Sequence, residues 1–493
     1  MVSSGFIARV ENLLPEYLPA QRWYRAKART IRGIAVQDVI DAGEGFSIFV
    51  LQIEYSEHDR DLYLLPLAPS NGSEASLSDA SSQPGFRDLL LEAIASGKTF
   101  KGSHGDLAAF RTSAFSQTSL PVESFVSGAE QSNTSIIYRD HFILKLFRKI
   151  ESGINPDLEI GRFLTEQAFP NTPALLGGLE YRTHEGARVY SAGILQQFVK
   201  NRGDAWKYTL DSLAGFFERA LSSGAFPAQP PLNLLADYPV SAELLGKRTA
   251  QMHSALASAR GNPDFAPEAF TQDDAHELAD SLLAQAAATF ALLREKVSSL
   301  PVAAAESARE VLTLETEITG RFGQLKDTAI GAARIREHGD YHLGQVLYTG
   351  EDFMIIDFEG EPARPLSERR AKGLALRDVA GMLRSFQYAA YAALFGQVPG
   401  VRPSSENAGQ IEAWSAFWNS AIAARYLQGY FQTAANAPYV PAEAEQRQLL
   451  LDVFLLQKAL YEVAYELNNR PGWVRIPLRG ILSLVHYRSK ISV

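Results

Sequence analysis

The pattern of apolar and polar positions divides the chain into a mixed first part and a helical second part. Up to about residue 200, short apolar runs alternate with polar turns, which is typical of β-strands. Beyond Val199 the apolar positions recur at helical spacing, in segments at about 242–258, 274–299, 303–325, 377–394, 410–434 and 445–468. The pattern predicts an α+β protein with a small β-rich lobe and a large helical lobe.

Changes in this pattern predict three domains. Residues 1–115 begin with an amphipathic helix, continue in short alternating runs and form a module of their own, interrupted by a Ser/Gly/Pro-rich surface loop at 69–85. Residues 116–200 contain two apolar runs, 135–139 and 142–147, that predict a tight hairpin. Residues 201–493 form the helical lobe.

Composition narrows the class of protein. The chain has 493 residues, of which 46% are hydrophobic, which is sufficient for real cores. Its net charge of −9 and lack of a long basic run disfavour nucleic acid as a partner. The absence of cysteine excludes disulfides and thiol nucleophiles. Without a signal peptide or an apolar run of roughly 18 residues, the expected protein is cytoplasmic and free of membrane.

The strongest chemical signal is the segment His338–Gln345 followed by Asp357–Glu359. It places an amide, Gln345, five residues after Asp340, and a second carboxylate, Asp357, seventeen residues after it. This spacing is typical of protein-kinase-like phosphotransferases. Asp340 is the predicted catalytic group that orients the acceptor hydroxyl.

The same segment supplies candidate ligands for the Mg²⁺ that accompanies ATP. Gln345 and Asp357 stand at the two ends of a predicted hairpin, and their oxygens suit Mg²⁺. Glu359, two residues further on, either supports a second metal ion or is a surface carboxylate, and both interpretations stay open.

Lys145, in the second strand of the earlier hairpin, is the candidate lysine for gripping the ATP phosphates. An isolated strand lysine often protects a sheet edge instead. Here Glu159 follows fourteen residues later, in a helix that begins near Asn155-Pro156. A strand lysine paired with a helix glutamate is the arrangement that orders this lysine in kinase-like sites.

The remaining nucleotide contacts are predicted from position along the chain. No glycine-rich signature precedes the hairpin, but small polar residues there can hold phosphate through N–H and hydroxyl groups. Strand 194–199 falls where an inter-lobe hinge would receive adenine, and Asp204 beyond it either meets the ribose or is a loop acid. The predicted nucleotide-binding residues are Ser132, Asn133, Thr134, Ser135, Lys145, Gln197, Val199 and Asp204.

The last long helix carries a polar face that could hold a sugar. Its members, at helical spacing, are Lys458, Tyr461, Glu462, Tyr465, Glu466 and Asn469. Most such stripes are solvated faces, but tyrosine, glutamate and tryptophan together offer a sugar both stacking surface and hydroxyl partners. The predicted substrate residues are His342, Tyr461, Glu462, Tyr465, Glu466 and Trp473.

Together these segments resemble the maltokinases, bacterial enzymes similar in fold to aminoglycoside phosphotransferases and eukaryotic protein kinases. The resemblance rests on Gln21–Tyr24, Glu130–Ser135, His338–Leu347, Asp357–Arg370, Arg377–Phe386 and Asn469–Ile476. It implies a bilobal protein-kinase-like fold with an N-terminal cap at 1–115, a nucleotide-binding N-lobe at 116–200 and a C-lobe at 201–493 that carries the catalytic loop and the acceptor site.

The resemblance also implies an activity, namely ATP-dependent phosphorylation of maltose to maltose 1-phosphate for α-glucan (glycogen) synthesis. It implies ATP and Mg²⁺ as cofactors and trehalose synthase as a candidate partner. Because the chain starts at its own Met1, that coupling is expected to be non-covalent or to have been lost with a fusion partner. Two alternatives stay open: a kinase of the same fold for glucosamine or another sugar, with Glu462 or Glu466 near the amino group, and a catalytically silent scaffold for an α-glucan enzyme.

Overall fold

The computed structural model describes residues 4–68, 77–116, 122–128, 132–223, 227–228, 230 and 233–486. Part of the predicted loop at 69–85 and part of the predicted phosphate loop, including Glu130, lie outside these residues. The chain forms two compact units. The first comprises the described residues up to Lys200 together with Arg364–Glu368, and the second comprises Asn201–Ala363 and the described residues from Arg369 onward.

The first unit combines three helices with two antiparallel sheets. Its elements are α1 (Ser4–Ala20), β1 (Ile31–Gly43), β2 (Phe46–Tyr55), β3 (Arg60–Leu67), α2 (Pro84–Ser96), β4 (Thr99–Lys101), β5 (Gly105–Arg111), β6 (Ser124–Val126), β7 (Asn133–Tyr138), β8 (Phe142–Phe147), β9 (Lys149–Ile150), α3 (Pro156–Glu166), β10 (Leu175–Thr183) and β11 (Val189–Gln197). One sheet has the order β1-β2-β3-β9 and the other β4-β5-β10-β11-β8-β7-β6.

Strand β2 explains why this unit needs a helix on each side of its first sheet. The strand is apolar along nearly its whole length, so both of its faces must be covered. Phe49 and Leu51 share a core cluster with Leu14 of α1, whereas Ile48 lies in the cluster that contains Phe86 of α2. Alternate side chains of one strand therefore belong to two cores.

The second sheet continues across residue 115, the predicted end of the first domain. Strands β4 and β5 precede this residue, and β6, β7, β8, β10 and β11 follow it. The predicted hairpin is confirmed, because β7 pairs with β8 and Ser135 lies opposite Lys145. The three-domain division itself stays a prediction.

The second unit is built mainly of helices. Its elements are α4 (Ala205–Ser222), α5 (Tyr238–Leu256), β12 (Glu268–Ala269), α6 (Gln272–Lys296), α7 (Val302–Thr313), α8 (Glu315–Asp327), β13 (Ala333–Arg334), β14 (Val346–Tyr348), β15 (Phe353–Ile355), α9 (Leu366–Arg369, whose first residues belong to the first unit), α10 (Leu376–Tyr391), α11 (Ala408–Thr433), α12 (Ala444–Asn469) and α13 (Arg475–His486). The α+β class, with a β-rich first part and a helical second part, is confirmed.

Two glycines allow α5 and α11 to pack closely. A Cβ atom at Gly246 would lie 2.0 Å from the Tyr426 carbonyl oxygen, and one at Gly429 would lie 2.0 Å from the Glu243 carbonyl oxygen. Only glycine can occupy these two positions at this separation of the helices. Trp414 and Trp418 of α11 are fully buried beside this crossing.

One predicted helix is divided. The segment 303–325 forms α7 and α8, because the backbone of Leu314 leaves helical geometry and its N–H bonds to the Val311 carbonyl 3.0 Å away. No proline or glycine marks this break, so the apolar spacing could not reveal it. Within the described residues, no helix combines the length and apolarity required to cross a bilayer.

Candidate active site

The catalytic-loop segment folds as a loop followed by a short hairpin. A 3₁₀ turn covers Leu343–Gln345, and β14 pairs with β15 in antiparallel register, as predicted. The Ile356 N–H donates to the Gln345 carbonyl at 3.0 Å. Gln345 and Asp357 therefore lie at the same end of the hairpin.

Asp378, a buried residue of α10, fixes the start of this loop. Its carboxylate accepts hydrogen bonds from the backbone N–H of His338 at 2.8 Å and of Gly339 at 3.0 Å, and it lies 3.0 Å from Nε2 of His253. Burial alone would raise the pKa of Asp378, but the hydrogen bond and charge of His253 hold it below its ordinary value. An ionised carboxylate therefore anchors the loop to the helical core.

Asp340 is paired with a lysine from a distant helix. Nζ of Lys458, in α12, lies 3.3 Å from Oδ1 of Asp340. Burial alone would lower the pKa of Lys458, but the charges of Asp340 and Glu462 raise it above its ordinary value. Lys458 is therefore a cation held next to the predicted catalytic carboxylate.

His342 stands on the other side of Asp340 and is neutral. Its Nδ1 accepts from the Gly344 N–H at 3.0 Å, which assigns the ring proton to Nε2, and Nε2 lies 3.9 Å from Oδ2 of Asp340. Burial lowers the pKa of His342; Asp340 opposes this effect and Lys458 adds to it. An N–H group of a neutral imidazole therefore faces Asp340.

Asp357 and Glu359 form an oxygen-rich pair after the hairpin. Carboxylate oxygens of the two residues lie within 4.8 Å of each other. Asp357 has φ = 66°, a left-handed conformation that costs a non-glycine residue about 1–2 kcal/mol and is concentrated at functional sites. Two carboxylates at this spacing are a donor set of the kind that Mg²⁺ prefers, and Gln345 at the same end of the hairpin stays the predicted third ligand.

A cavity of about 510 Å³ opens beside Asp340 in the second unit. It is lined by Asp204, Trp206, Asp340, His342, Gly344, Gly381, Ser385, Tyr388, Lys458, Tyr461, Glu462, Tyr465, Glu466 and Arg470. Five of the six predicted substrate residues are among these. The sixth, Trp473, is not; its ring stacks on Phe395 at a centroid distance of 4.9 Å. Asp204, predicted to meet the nucleotide, is here on the wall of the same cavity as Asp340.

The two glutamates of α12 that line the cavity are held by arginines in different ways. Glu462 is buried, and Nε and Nη2 of Arg384 both donate to its Oε2, the Nε bond at 2.9 Å. Glu466 is fully buried, and both of its oxygens are bonded, one to Nη2 of Arg470 at 2.6 Å and the other to Nε at 3.0 Å. Oε1 of Glu462 has no hydrogen-bond partner among the described residues, so this atom is available to a bound molecule.

Two tyrosines of α12 add an aromatic wall to the cavity. The rings of Tyr461 and Tyr465 are stacked at a centroid distance of 6.5 Å, and Nζ of Lys458 lies 5.1 Å from the Tyr461 centroid. Burial and a hydrogen bond with Glu361 raise the pKa of Tyr461, so its hydroxyl stays protonated at neutral pH. The wall therefore offers both a flat surface and a hydroxyl group to a sugar.

Several residues of this site were not predicted. Asp378 and Tyr388 come from α10, Trp206 comes from α4, Lys458 comes from α12, and Arg470 directly follows α12. Lys458 belongs to the polar stripe recognised in the sequence, but its pairing with Asp340 spans 118 residues and has no local signature. A conserved pattern on α10 would be needed to find Asp378.

In the first unit, Lys145 forms its ion pair with Asp157. Nζ of Lys145 lies 3.3 Å from Oδ2 of Asp157, a buried residue in the first turn of α3. Asn155 caps this helix by accepting from the Asp157 N–H at 2.8 Å. Glu159, the predicted partner, follows in the same turn. The Lys145–Asp157 pair lies in the helix turn that also contains Glu159. The role of Glu159 as a partner of Lys145 stays a prediction.

The predicted phosphate-loop residues are divided between the two faces of β7. Ser135 lies opposite Lys145 across the strand pair, whereas Oγ1 of Thr134 accepts from Nε of Arg148 at 2.8 Å. Successive side chains of a strand point to opposite faces, so the hydroxyl groups of Thr134 and Ser135 lie on different sides of β7. Gln197 ends β11, where its N–H donates to the Ala174 carbonyl at 3.0 Å. The nucleotide roles of Ser132, Asn133, Thr134, Ser135, Gln197 and Val199 stay predictions.

These elements define a protein of the kinase fold, which comparison with solved structures supports. The chain superposes on a glucosamine kinase in complex with glucosamine, ADP and inorganic phosphate with a TM-score of 0.65 at 20% identity, covering 96% of this chain and 99% of that one. A second crystal form of a glucosamine kinase gives a TM-score of 0.66 at 21% identity, with 97% and 99% covered.

Sequence comparison indicates which kinases this chain is similar to. The family of maltokinase N-terminal cap domains matches residues 17–83. A glucosamine kinase from Streptacidiphilus jiangxiensis is 24% identical over 469 residues, which is 94% of each chain. A glucosamine kinase from Mycolicibacterium smegmatis is 24% identical over 72% of this chain and 78% of its own. The prediction of a maltokinase-like protein of the kinase fold is confirmed, and the comparisons support a sugar kinase of this fold.

Proposed function

We propose that this protein is an ATP-dependent sugar kinase and that its acceptor is glucosamine. The observation that carries the proposal is the cavity beside Asp340, whose lining contains four carboxylates, two cations and four aromatic rings. Aromatic rings and carboxylates are suited to the apolar faces and hydroxyl groups of a sugar. The excess of carboxylates is suited to an acceptor that carries an ammonium group.

In the proposed reaction an oxygen of the sugar attacks the γ-phosphorus of ATP. The new P–O bond forms as the bond to the bridging oxygen of ADP breaks, and the proton of the sugar hydroxyl passes to Asp340 and then to solvent. Lys458 forms an ion pair with Asp340 and orients its carboxylate. His342 offers an Nε2–H group beside it, and this neutral donor adds no positive charge that would compete for the carboxylate.

The metal ion is assigned to residues of the second unit, and a phosphate-binding role is assigned to a lysine of the first unit. Gln345, Asp357 and Glu359 would hold Mg²⁺, which when bound neutralises phosphate charge. Lys145, oriented by Asp157, supplies a positive charge for the phosphates. The donor atoms fit these ligands, and the spacing of the motif supports the assignment.

The choice of glucosamine over maltose rests on free carboxylate oxygens. Asp204 forms no ion pair with a described residue; its Oδ1 accepts only from the Lys207 N–H at 2.8 Å. Oε1 of Glu462 is also without a partner among the described residues, whereas Glu466 is saturated by Arg470 and Tyr388. Asp204 and Glu462 are therefore the candidates for contact with the ammonium group. The nearly full-length similarity to glucosamine kinases supports the same choice.

Maltose is the second candidate, because residues 17–83 match the maltokinase cap domain. The acceptors are separated by measuring Mg²⁺-dependent phosphate transfer from ATP to glucosamine, maltose, glucose, trehalose and an aminoglycoside, with NMR of the product. Selective turnover of glucosamine supports the proposal. Selective turnover of maltose, with phosphate on the anomeric oxygen, favours the maltokinase activity instead. No turnover with any acceptor would contradict both kinase activities and favour the alternative of a catalytically silent scaffold.

The Asp204→Asn variant, measured in the same assay, tests whether Asp204 contacts the acceptor. Loss of one charged contact to the ammonium group should raise the KM for glucosamine about tenfold or more and leave the KM for ATP unchanged. Asp211→Asn, an exposed acid of the same helix, is the matched control. An unchanged KM for glucosamine would remove Asp204 from the acceptor site, and a raised KM for ATP would return it to the predicted nucleotide role.

A further inference from the structure

A second cavity, of about 540 Å³, lies in the first unit and takes no part in the proposed reaction. It is bounded by the residues after α1, the turn before α2, and strands β6 and β7. Its charged lining consists of Arg22, Arg87, Arg148 and a single carboxylate, Asp79. We propose that this cavity is a binding site for a small phosphate monoester such as a sugar phosphate.

Arg148 provides the most specific observation. It is fully buried, its Nη2 lies 2.7 Å from Oδ2 of Asp79, and its Nε donates to Thr134. Its Nη1 is buried and has no hydrogen-bond partner among the described residues. A buried donor that is left unsatisfied is costly, and a phosphate oxygen is the acceptor that matches a guanidinium best.

Arg87 adds a positive charge that no carboxylate balances. Its guanidinium is buried and donates to Oγ and the carbonyl of Ser124 and to the carbonyls of Ser81 and Ser82. Among the described residues no acid forms an ion pair with it. Asp79 cannot serve both arginines, because its other oxygen accepts from the N–H and the hydroxyl of Ser81 at 2.9 and 2.6 Å. The cavity is therefore electropositive, which favours an anion.

The remaining lining distinguishes an organic phosphate from a simple anion. Trp23 lies 4.9 Å from the Arg148 guanidinium, and Phe125, on the edge strand β6, is 54% exposed. These rings supply an apolar surface for the organic part of the ligand. Arg22 is exposed at the mouth, where it donates to the Gly128 carbonyl and remains within reach of a bound phosphate.

The cavity lining shares Asn133 and Thr134 with the predicted nucleotide-binding residues, but its buried cation, Arg148, lies apart from the predicted phosphate-gripping lysine, Lys145. Thr134, which contacts Arg148, and Ser135, which lies opposite Lys145, are neighbours along β7 and so face opposite sides of the sheet. A phosphate held by Arg148 therefore lies on the face of the sheet away from Lys145. This separation makes the two sites distinguishable by mutation.

The test is calorimetric titration of the whole protein at low salt with two probes, inorganic phosphate and glucose 6-phosphate. Both should bind, and glucose 6-phosphate should bind more tightly because it also meets the aromatic surface. Arg22→Ala, at an exposed position that should not disturb folding, should raise Kd about tenfold. Arg22→Lys, which keeps the charge but loses the planar fork, should raise it less.

Lys145→Met is the matched control, because it removes a phosphate-binding cation from the other face of the sheet. The proposal requires Kd to be unchanged in this variant and raised in Arg22→Ala and in Arg148→Lys. Binding that is lost in Lys145→Met but kept in both arginine variants would assign the phosphate to the nucleotide site and overturn the proposal. Absence of binding to the wild-type protein would overturn it as well.

Discussion

Two cavities among the described residues have nearly the same volume and opposite chemistry. The cavity beside Asp340 has four carboxylates and two cations in its lining, and the cavity beside Arg148 has three arginines and one carboxylate. In the first cavity most charges are paired within the protein, whereas in the second Arg148 pairs with Asp79 and Arg87 forms no ion pair with a described residue. Atoms without a hydrogen-bond partner among the described residues include Oε1 of Glu462 and one oxygen of Asp204 in the first cavity and Nη1 of Arg148 in the second.

The comparison indicates that the ligand preference of a cavity depends more on which polar atoms lack a partner than on how many charged groups line it. Glu466 is as buried as any carboxylate of the protein, yet Arg470 and Tyr388 satisfy both of its oxygens. Arg87 in turn is satisfied by carbonyls but keeps its net charge. A carboxylate with one free oxygen can meet an ammonium or hydroxyl group, and a guanidinium with one free N–H can meet a phosphate.

The largest expected effect is on turnover in the acidic cavity. Asp340→Asn should lower kcat about 10²–10⁴-fold, because the amide no longer accepts the proton of the sugar hydroxyl. Binding of ATP, measured by calorimetry, should remain normal. Asp211→Asn serves as the exposed control. Full activity of Asp340→Asn would contradict the catalytic role of this residue.

Breaking the buried pair behind the same cavity should mainly affect stability. Glu462→Gln leaves Arg384 buried without a counter-charge and should lower the free energy of unfolding by about 3–5 kcal/mol. Glu445→Gln, an exposed acid of the same helix, should change it by less than about 0.5 kcal/mol. Urea unfolding measures both. If the unpaired charge of Arg384 causes this destabilisation, the double variant Arg384→Met/Glu462→Leu, which removes that charge, should recover most of the lost free energy of unfolding.

Removing the lysine that pairs with Asp340 should have a smaller effect on rate and a distinct effect on pH dependence. Lys458→Met should lower kcat about tenfold. Because the charge of Lys458 lowers the pKa of His342, the substitution should raise that pKa. NMR titration of the His342 ring measures the shift. A pKa that is unchanged or lowered would show that the two groups are not coupled.

The smallest effect is expected at the rim, where Arg470 is half exposed. Arg470→Met should lower the free energy of unfolding at pH 7 by about 1 kcal/mol, because Glu466 is then an unpaired buried charge. Burial already raises the pKa of Glu466, and Arg470 opposes this effect, so the variant raises it further. The loss should therefore diminish as pH falls and Glu466 becomes protonated. A loss that grows at low pH would contradict this account. Phosphate binding at the arginine cavity should be unaffected.

The sequence predicted the α+β class, the two hairpins and most of the long helices, because these depend on local apolar spacing. It also placed Asp340, Gln345 and Asp357 in one motif, since they are close along the chain. The break at Leu314 and the position of Trp473 were not predictable in this way, because packing between helices decides both.

Contacts between distant segments account for the rest of the site. Lys458 reaches Asp340 from α12, and Asp378 holds the catalytic loop from α10. Neither pairing has a signature in local spacing. For Lys145 the helix turn was predictable, whereas the carboxylate that faces the lysine depends on where Asn155 starts the helix.

The anchoring of the catalytic loop by Asp378 has a consequence for heat inactivation. Asp378 contacts the loop backbone and His253, and His253 in turn lies 3.0 Å from the Tyr430 hydroxyl in the crossing of α5 and α11. Hydrogen bonds therefore connect the catalytic loop to the packed helices α5 and α11, and we expect the loop to move with them. Warming should not disable the loop ahead of its surroundings, and the temperature at which activity disappears should coincide with the melting of these helices.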